Sequence, residues 1–345
     1  MRILLGMSGG IDSTYAALKL MREGHSVEGA TLLMHEYTEI EAARSAADSL
    51  GIPLHVIDCR EQFENVVKSD FVEQYKNART PNPCVVCNSE IKFKYLALYA
   101  KEHGFDKIAT GHYGEVVKLS LGEEERYALK FAKDRRKDQS YMLWRLSQDI
   151  LSMLVLTLSD MTKDDIRSDA KESGLIAADR ADSQEICFIP DGDYPRYIEE
   201  HSEGIKSGNF IDENGKVIAA HKGIVHYTIG QRRGLGISAA SRIFVTRIDA
   251  ESGDVTLSSV DPHATRVKLS GIVYSGISPK TEPFEMKLSA KLRYAAPPVP
   301  ATVIFSEQTA EVILDTPHRA VTPGQSCVLY DGDVLVAGGF IDRAE

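Results

Sequence analysis

Two groups of residues in this chain have types and spacings that could do chemistry. The first is Gly6-Met7-Ser8-Gly9-Gly10-Ile11-Asp12-Ser13, which follows the apolar run Ile3-Leu4-Leu5 without a break. Adjacent glycines let the backbone approach an anion and enter positive φ, so successive N–H groups can converge into a nest. A helix opening at Ser13 would turn its positive end toward the same anion. Asp12 supplies a carboxylate suited to Mg²⁺ rather than to a phosphate. No Gly-Lys-Ser/Thr follows, which excludes a Walker loop. No G-x-G-x-x-G is present, which excludes a dinucleotide fingerprint. The chemistry indicated is a grip on the pyrophosphate of ATP that leaves AMP on a substrate.

The second group is the cysteines: Cys59, Cys84, Cys87, Cys187 and Cys327. An odd number in a large chain without secretory features argues for thiol chemistry or metal ligation over a disulfide framework. Cys84 and Cys87 follow the stiff stretch Thr80-Pro81-Asn82-Pro83 and are expected just ahead of a helix, whose dipole would favour the thiolate. A structural zinc site would need a second cysteine or histidine pair. A thioredoxin-like redox pair would need another order of elements. On its own, Cys187 between Ile186 and Phe188 reads as core, and Cys59 and Cys327 read as buried filler.

These groups need a frame, and the hydrophobic pattern supplies one. Strands are expected over residues 2–5, Val27–Met34, Leu54–Asp58 and Lys107–Thr110. Helices are expected over Ser13–Glu23, Glu39–Leu50, Glu61–Asn77 and Ser89–His103, with glycines at 24, 51 and 104 closing three of them. That alternation predicts an α/β, doubly wound parallel sheet with ligands at the carboxyl ends of its strands. A β-hairpin is predicted between Glu115 and Phe131, with polar helical segments continuing to about Ala181. From Gly204 the turn dipeptides Asn214-Gly215, Ser252-Gly253 and Asp331-Gly332 punctuate an all-β half, with a boundary expected near Val267.

At 345 residues, two or three domains are expected. No apolar run approaches the roughly 20 residues of a membrane span, and a cytoplasmic location with no membrane partner is expected. A net charge of −10 argues against indiscriminate nucleic-acid binding but allows a local basic surface. One candidate is Lys130 to Arg145, where Lys130, Lys133, Arg135, Arg136, Lys137 and Arg145 face only Asp134 and Asp138. Tyr141 and Trp144 in that stretch could pack or stack, and Gln231-Arg232-Arg233 could be an ordinary hairpin or a phosphate contact.

Together these stretches resemble the tRNA-specific 2-thiouridylase family of PP-loop ATP pyrophosphatases. The resemblance runs through Gly6–Ser13, Pro81-Asn82-Pro83 with Cys87-Asn88 and Ile91-Lys92-Phe93, Gly111-His112-Tyr113, and Lys137-Asp138-Gln139-Ser140-Tyr141. It continues through Ser183, Ile186-Cys187-Phe188, His221-Lys222-Gly223, Tyr227 to Gly236, and Pro323-Gly324-Gln325. It implies a catalytic domain at 1–203, a small central β domain at 204–266 and a C-terminal β-barrel at 267–345. The implied reaction is ATP-dependent 2-thiolation of the wobble uridine of tRNA for Lys, Glu or Gln. Adenylation turns a poor leaving group, the uracil oxygen, into a good one.

By the same resemblance, Gly6 to Ser13, Leu32 and Gly111 would hold ATP and Mg²⁺. Cys87 would be the nucleophile. Cys187 would carry persulfide sulfur and could form a disulfide with Cys87, and the partner that supplies sulfur would be a sulfur-donor protein or sulfide. Asn82, Pro83 and Cys84 would border the target base. His112, Lys137, Asp138, Gln139, Arg293, Tyr294 and Gln325 would touch tRNA. The better-known members carry Asp where this chain has Cys84. Cys84, Cys87 and Cys187 could therefore hold a [4Fe–4S] cluster with one iron open to sulfide. Two rival readings are a nitrogen-transferring ATP pyrophosphatase for a small molecule and a tRNA-binding module without catalysis. The first gives the cysteines no task, and the intact Ser8, Gly9, Gly10, Asp12 and Ser13 speak against the second.

Overall fold

A computed structural model describes residues 1–175, 186–205, 207–238 and 241–345. The expected helical stretch up to Ala181, and Ser183 of the resemblance, reach into residues 176–185 outside that description. The first half is built on β1 (Arg2–Gly6), β2 (Ser26–Leu33), β3 (Leu54–Asp58), β4 (Lys107–Thr110) and the short β7 (Leu154–Val155). They form one parallel sheet in the order β3-β2-β1-β4-β7. Ile3, Leu4 and Leu5 are fully buried, as continuous apolar runs must be in a sheet covered on both faces. The strand order reverses between β1 and β4, and at such a switch point the carboxyl ends open a crevice.

Helix α1 (Ile11–Arg22) leaves β1 through that crevice. It starts two residues before the predicted Ser13 because Gly10, in extended conformation, already serves as its N-cap. Asp12 lies in the first turn and Lys19 and Arg22 in the last, in keeping with the macrodipole. Helix α2 (Ile40–Leu50) ends at Gly51 in the left-handed region. Residues 60–76 are helical in three joined pieces. A second helical run joins Pro83–Cys87, Asn88–Lys92 and Phe93–Glu102. Pro83 opens it, a position where the missing N–H costs nothing. Cys84 and Cys87 therefore lie inside the helix, not ahead of it as the sequence suggested.

The predicted hairpin is present as β5 (Glu115–Leu121) and β6 (Glu124–Lys130). The second half begins with β8 (Gly208–Ile211), β9 (Val217–His221), β10 (Phe244–Ile248) and β11 (Val255–Ser258), a small sheet in the order β10-β11-β8-β9. Six further strands follow: β12 (His263–Tyr274), β13 (Phe284–Lys291), β14 (Val299–Ser306), β15 (Thr309–Arg319), β16 (Ser326–Asp331) and β17 (Val334–Ala344). Pairing of β12 with both β15 and β17 closes them into a barrel, which removes the open edges. The β5–β6 hairpin adds to β17 at Val334 and Lys130, so a strand pair from the first half extends the barrel sheet.

Tyr141 and Trp144 are fully buried at this junction. The Tyr141 hydroxyl donates to the Ser326 carbonyl and the Trp144 indole to Ser326 Oγ, each at 2.9 Å. They pack; they do not stack on an outside ligand. Among the described residues no helix is long and apolar enough to cross a membrane.

Candidate active site

The glycine loop occupies the crevice between β1 and β4. Gly9 has φ +76°, and a Cβ there would sit 2.4 Å from the Ala42 carbonyl carbon at the start of α2. A Cβ on Gly111, just past β4, would sit 2.6 Å from the backbone of Asp12 and Ser13. Glycine at both positions brings three backbone segments together around the opening of α1. Ser8 N–H donates to Ser13 Oγ at 3.2 Å, and that hydroxyl donates to the Gly10 carbonyl at 3.1 Å. The first-turn N–H groups of Ile11, Asp12 and Ser13 have no carbonyl one turn back, so they are available to an anion. The side chains of Met7 and Ile11 are buried, leaving only their backbones for a nucleotide. Leu32, at the carboxyl end of β2, is partly exposed.

Asp12 is clasped in a way the sequence did not indicate. Lys163 Nζ lies 2.8 and 2.7 Å from its two oxygens, and the Tyr113 hydroxyl donates to Oδ1 at 2.6 Å. Lys163 is buried and is the first residue of the helix Lys163–Glu172, capped reciprocally by Thr162 and Asp165. A lysine at a helix N-terminus opposes the macrodipole. That local violation, beside a legible capping box, was the signal that could have found it.

Gln139 holds Tyr113 in place. Its N–H donates to the Tyr113 carbonyl at 2.8 Å, and its Oε1 accepts from Tyr113 N–H at 3.0 Å. Asp138 is buried and accepts from Ala132 N–H at 2.8 Å, Ser140 N–H at 3.2 Å and Ser140 Oγ at 2.6 Å. Burial pushes its carboxyl above the usual range. Asp138 is thus a buried carboxylate already holding three donors within the chain. Gln139 is likewise committed to the Gly111-His112-Tyr113 turn, and Lys137 is partly exposed. His112 faces Thr110 Oγ1 at 2.9 Å and the Phe93 ring at 5.4 Å between centroids. Burial, aided by the Lys92 charge, pushes its imidazole down to about 3, so it is neutral at ordinary pH.

The cysteines gather along the helical run after Pro83. All five are free thiols, with Cys84 and Cys187 exposed and Cys87 buried. Cys87 Sγ is 3.8 Å from Met34 Sδ, just past β2, which places it at the carboxyl end of the same sheet as the nest. Cys187 is held near by its neighbour Phe188, whose ring meets Phe63, Phe71 and Tyr197 at 5.4 to 5.6 Å. Cys59 and Cys327 are buried.

The expected easy ionisation of Cys87 is overturned. Burial pushes its thiol up to about 12 despite the opposing pull of Lys92. Burial here outweighs the roughly 1 kcal/mol that a helix terminus offers a thiolate. Burial also disfavours the charge on Lys92, but Cys87, Cys84 and Cys187 together outweigh it and hold the ammonium above its ordinary value. Lys92 thus lies close to all three cysteines. Among the described residues no group of three Cys, His, Asp or Glu side chains is arranged to hold a metal ion.

The barrel reaches this site from the other side. Gln325 Nε2 donates to the Thr80 carbonyl at 2.7 Å, and Thr80 N–H donates to the Pro323 carbonyl at 2.8 Å. Tyr294 is exposed and its hydroxyl feels Cys84. Arg293 is partly buried and donates to the carbonyls of Arg319 and Ala320. Asn82 Nδ2 meets Met142 Sδ at 3.4 Å. The structure thus brings Asn82, Cys84, Cys87, Cys187, Tyr294 and Gln325 into one neighbourhood.

The predicted basic run is not a free patch. Lys130 pairs with Glu115, Arg135 with Asp333, Arg136 with Asp134 and Arg145 with Glu90.

Comparison with known proteins adds the following. Residues 1–191 match the family profile described as tRNA methyl transferase HUP domain. Residues 196–259 match the tRNA methyl transferase PRC-barrel domain, and 265–341 the aminomethyltransferase beta-barrel domain. A tRNA-specific 2-thiouridylase of Acetivibrio thermocellus is 39% identical over 99% of each chain. One of Treponema denticola is 41% identical over 100% of this chain and 99% of its own. The solved U34-tRNA thiolase NcsA of Methanococcus maripaludis, with its [4Fe–4S] cluster, aligns with 59% of this chain and 68% of its own. Its TM-score of 0.35 at 19% identity is too low to inform the site.

Proposed function

This chain belongs to the tRNA-specific 2-thiouridylase family, and from that premise we propose how its residues divide the reaction. It is a transferase that replaces the 2-oxygen of a tRNA uridine with sulfur, and its family uses ATP with Mg²⁺. The nest from Gly6 to Ser13 and Gly111 binds the pyrophosphate end of ATP, and Asp12 would hold the metal that accompanies it. The uracil O2 attacks the α-phosphorus, the bond to pyrophosphate breaks, and AMP remains on the base as a leaving group.

Sulfur then arrives through the cysteines. Exposed Cys187 suits the residue whose thiolate attacks the outer sulfur of a donor protein's persulfide, so that the donor leaves as its thiolate and Cys187 carries the sulfur as a persulfide. Its terminal sulfur attacks C2, and the C2–O bond breaks with AMP carrying away the electron pair. Cys87 next attacks Cys187 Sγ. The S–S bond breaks toward the sulfur on C2, which becomes the thiocarbonyl, and a Cys87–Cys187 disulfide is left for an external thiol to reduce. Asn82, Pro83 and Cys84 border the base, which must leave its stack to be reached. Residues 1–203 carry the chemistry, while 204–266 and 267–345 place the wobble uridine over it. Of the two sulfur routes, the persulfide is favoured because the family at large supports it, and Cys84, Cys87 and Cys187 are the residues that would hold a cluster on the other.

The observation that carries this reading is the meeting of nest and cysteines at the carboxyl end of one sheet, with Cys87 against Met34. Protein, ATP, Mg²⁺, a sulfur donor and unmodified tRNA should yield 2-thiouridine in the digested nucleosides. Cys87→Ser and Cys187→Ser should each abolish the product while tRNA-dependent pyrophosphate release persists. Product formed by Cys187→Ser would refute the assignment.

A further inference from the structure

The cations of residues 130–145 are mostly neutralised, which turns attention to the second stretch the sequence offered, around Arg232 and Arg233. Arg232, Arg233, Arg242 and Arg319 frame a cavity of about 560 Å³, with Asp261 as the carboxylate in its lining. Arg319 Nε donates to Asp261 Oδ2 at 2.6 Å. Arg232, Arg233 and Arg242 are exposed and have no carboxylate partner among the described residues. In a protein of net charge −10, most other arginines are paired within the chain. Three guanidinium groups around one concavity, with no carboxylate partner among the described residues, are a concentrated positive field.

The loop that presents Arg232 and Arg233 is fixed. Gly230 N–H donates to the Val245 carbonyl at 2.8 Å and Val245 N–H to the Gln231 carbonyl at 3.0 Å. Gln231 Oε1 accepts from Thr228 N–H at 2.9 Å, and its Nε2 donates to the Arg233 carbonyl at 3.0 Å. Arg319 Nη2 lies 3.4 Å from the Gly230 carbonyl, tying the loop to the barrel. The same loop reaches the site already described, since Thr228 Oγ1 is 3.4 Å from Thr80 Oγ1, and Thr80 adjoins Pro81 and Asn82. A path of rigid backbone therefore joins the base-bordering loop to the arginines.

We propose that this cavity, framed by Arg232, Arg233, Arg242 and Arg319, binds phosphates of the RNA backbone next to the target base, an inference that rests on the tRNA reading above. Guanidinium groups suit phosphate because their planar donors match its oxygens. A backbone contact of this kind fixes register without reading sequence. The cavity would hold the strand while the uridine is turned into the cysteine site.

The test is tRNA affinity of the full chain as salt rises from roughly 50 to 200 mM. Replacing Arg232, Arg233 and Arg242 by alanine should weaken binding by about 10-fold or more and make the log–log salt slope shallower by about two. The loss should appear in KM for tRNA. Replacement of the three by lysine should restore the slope, and unchanged ATP affinity in both variants would certify the fold. An alanine variant with wild-type affinity and slope, or one that loses affinity at unchanged slope, overturns the proposal. If the wild type forms 2-thiouridine and the slope does not move, this inference alone fails. If the wild type binds tRNA with the predicted slopes but forms no 2-thiouridine, the sulfur-transfer reading fails instead.

Discussion

The phosphate nest and the cysteine site share the carboxyl ends of one parallel sheet but are built on opposite terms. The nest is closed in on itself. Glycine contacts at Gly9 and Gly111, a serine relay and the Lys163–Asp12–Tyr113 clasp fix it before any ligand arrives. The cysteine site mixes a buried thiol at Cys87 with exposed ones at Cys84 and Cys187. Activation of a carbonyl by ATP gains from donors already in place. Sulfur delivery needs one residue open to a donor and another kept protonated until the carrier is beside it.

The largest effect that would break this contrast is expected at Gly111. In Gly111→Ala the new methyl collides with backbone at Asp12 and Ser13, and overpacking of this kind costs roughly 1–3 kcal/mol. ATP affinity should fall by about 10- to 100-fold, while alkylation of Cys187 should be unchanged. Equal damage to both would show that the two sites are one unit.

A middle-sized effect is expected at the clasp. Lys163→Met leaves the partly solvated Asp12 carboxylate without its cation and should lower the stability of the nucleotide-free protein by about 1–2 kcal/mol. Saturating Mg–ATP should close most of that gap in thermal melts, because the metal replaces the ammonium. A gap that stays constant would mean that Asp12 does not meet the metal.

The effect that is smallest near neutral pH, and grows only in acid, concerns His112. The His112 imidazole is held at about 3 in the fold, against roughly 6.5 unfolded. Between those values the unfolded chain binds the extra proton, so stability is complete above about 6.5 and falls as pH drops toward 3. The slope is at most about 1.4 kcal/mol per pH unit. His112→Gln should flatten denaturation midpoints measured from pH 7 to 4. An unchanged slope would place the imidazole in water.

The nest was legible because its demands are written in residue types: Gly9-Gly10, Asp12 and the strand before them. Strand–helix alternation gave the parallel sheet for the same local reason. What could not be read depends on distant chain. The partners that neutralise Lys130 to Arg145 include Glu90, Glu115 and Asp333. Tyr141 and Trp144 are buried by Ser326 and its barrel. The Cys87 thiol is controlled by burial, which a helix-end argument does not see.

The central claim is tested most directly by following the sulfur atom. Protein loaded with heavy sulfur as a Cys187 persulfide, freed of other sulfur, is given ATP, Mg²⁺ and unmodified tRNA for a single turnover. Mass spectrometry should find the heavy atom in 2-thiouridine and a new Cys87–Cys187 disulfide in the protein. Heavy sulfur left on the protein, with 2-thiouridine appearing only when iron and sulfide are added and only while Cys84 is intact, would contradict the account.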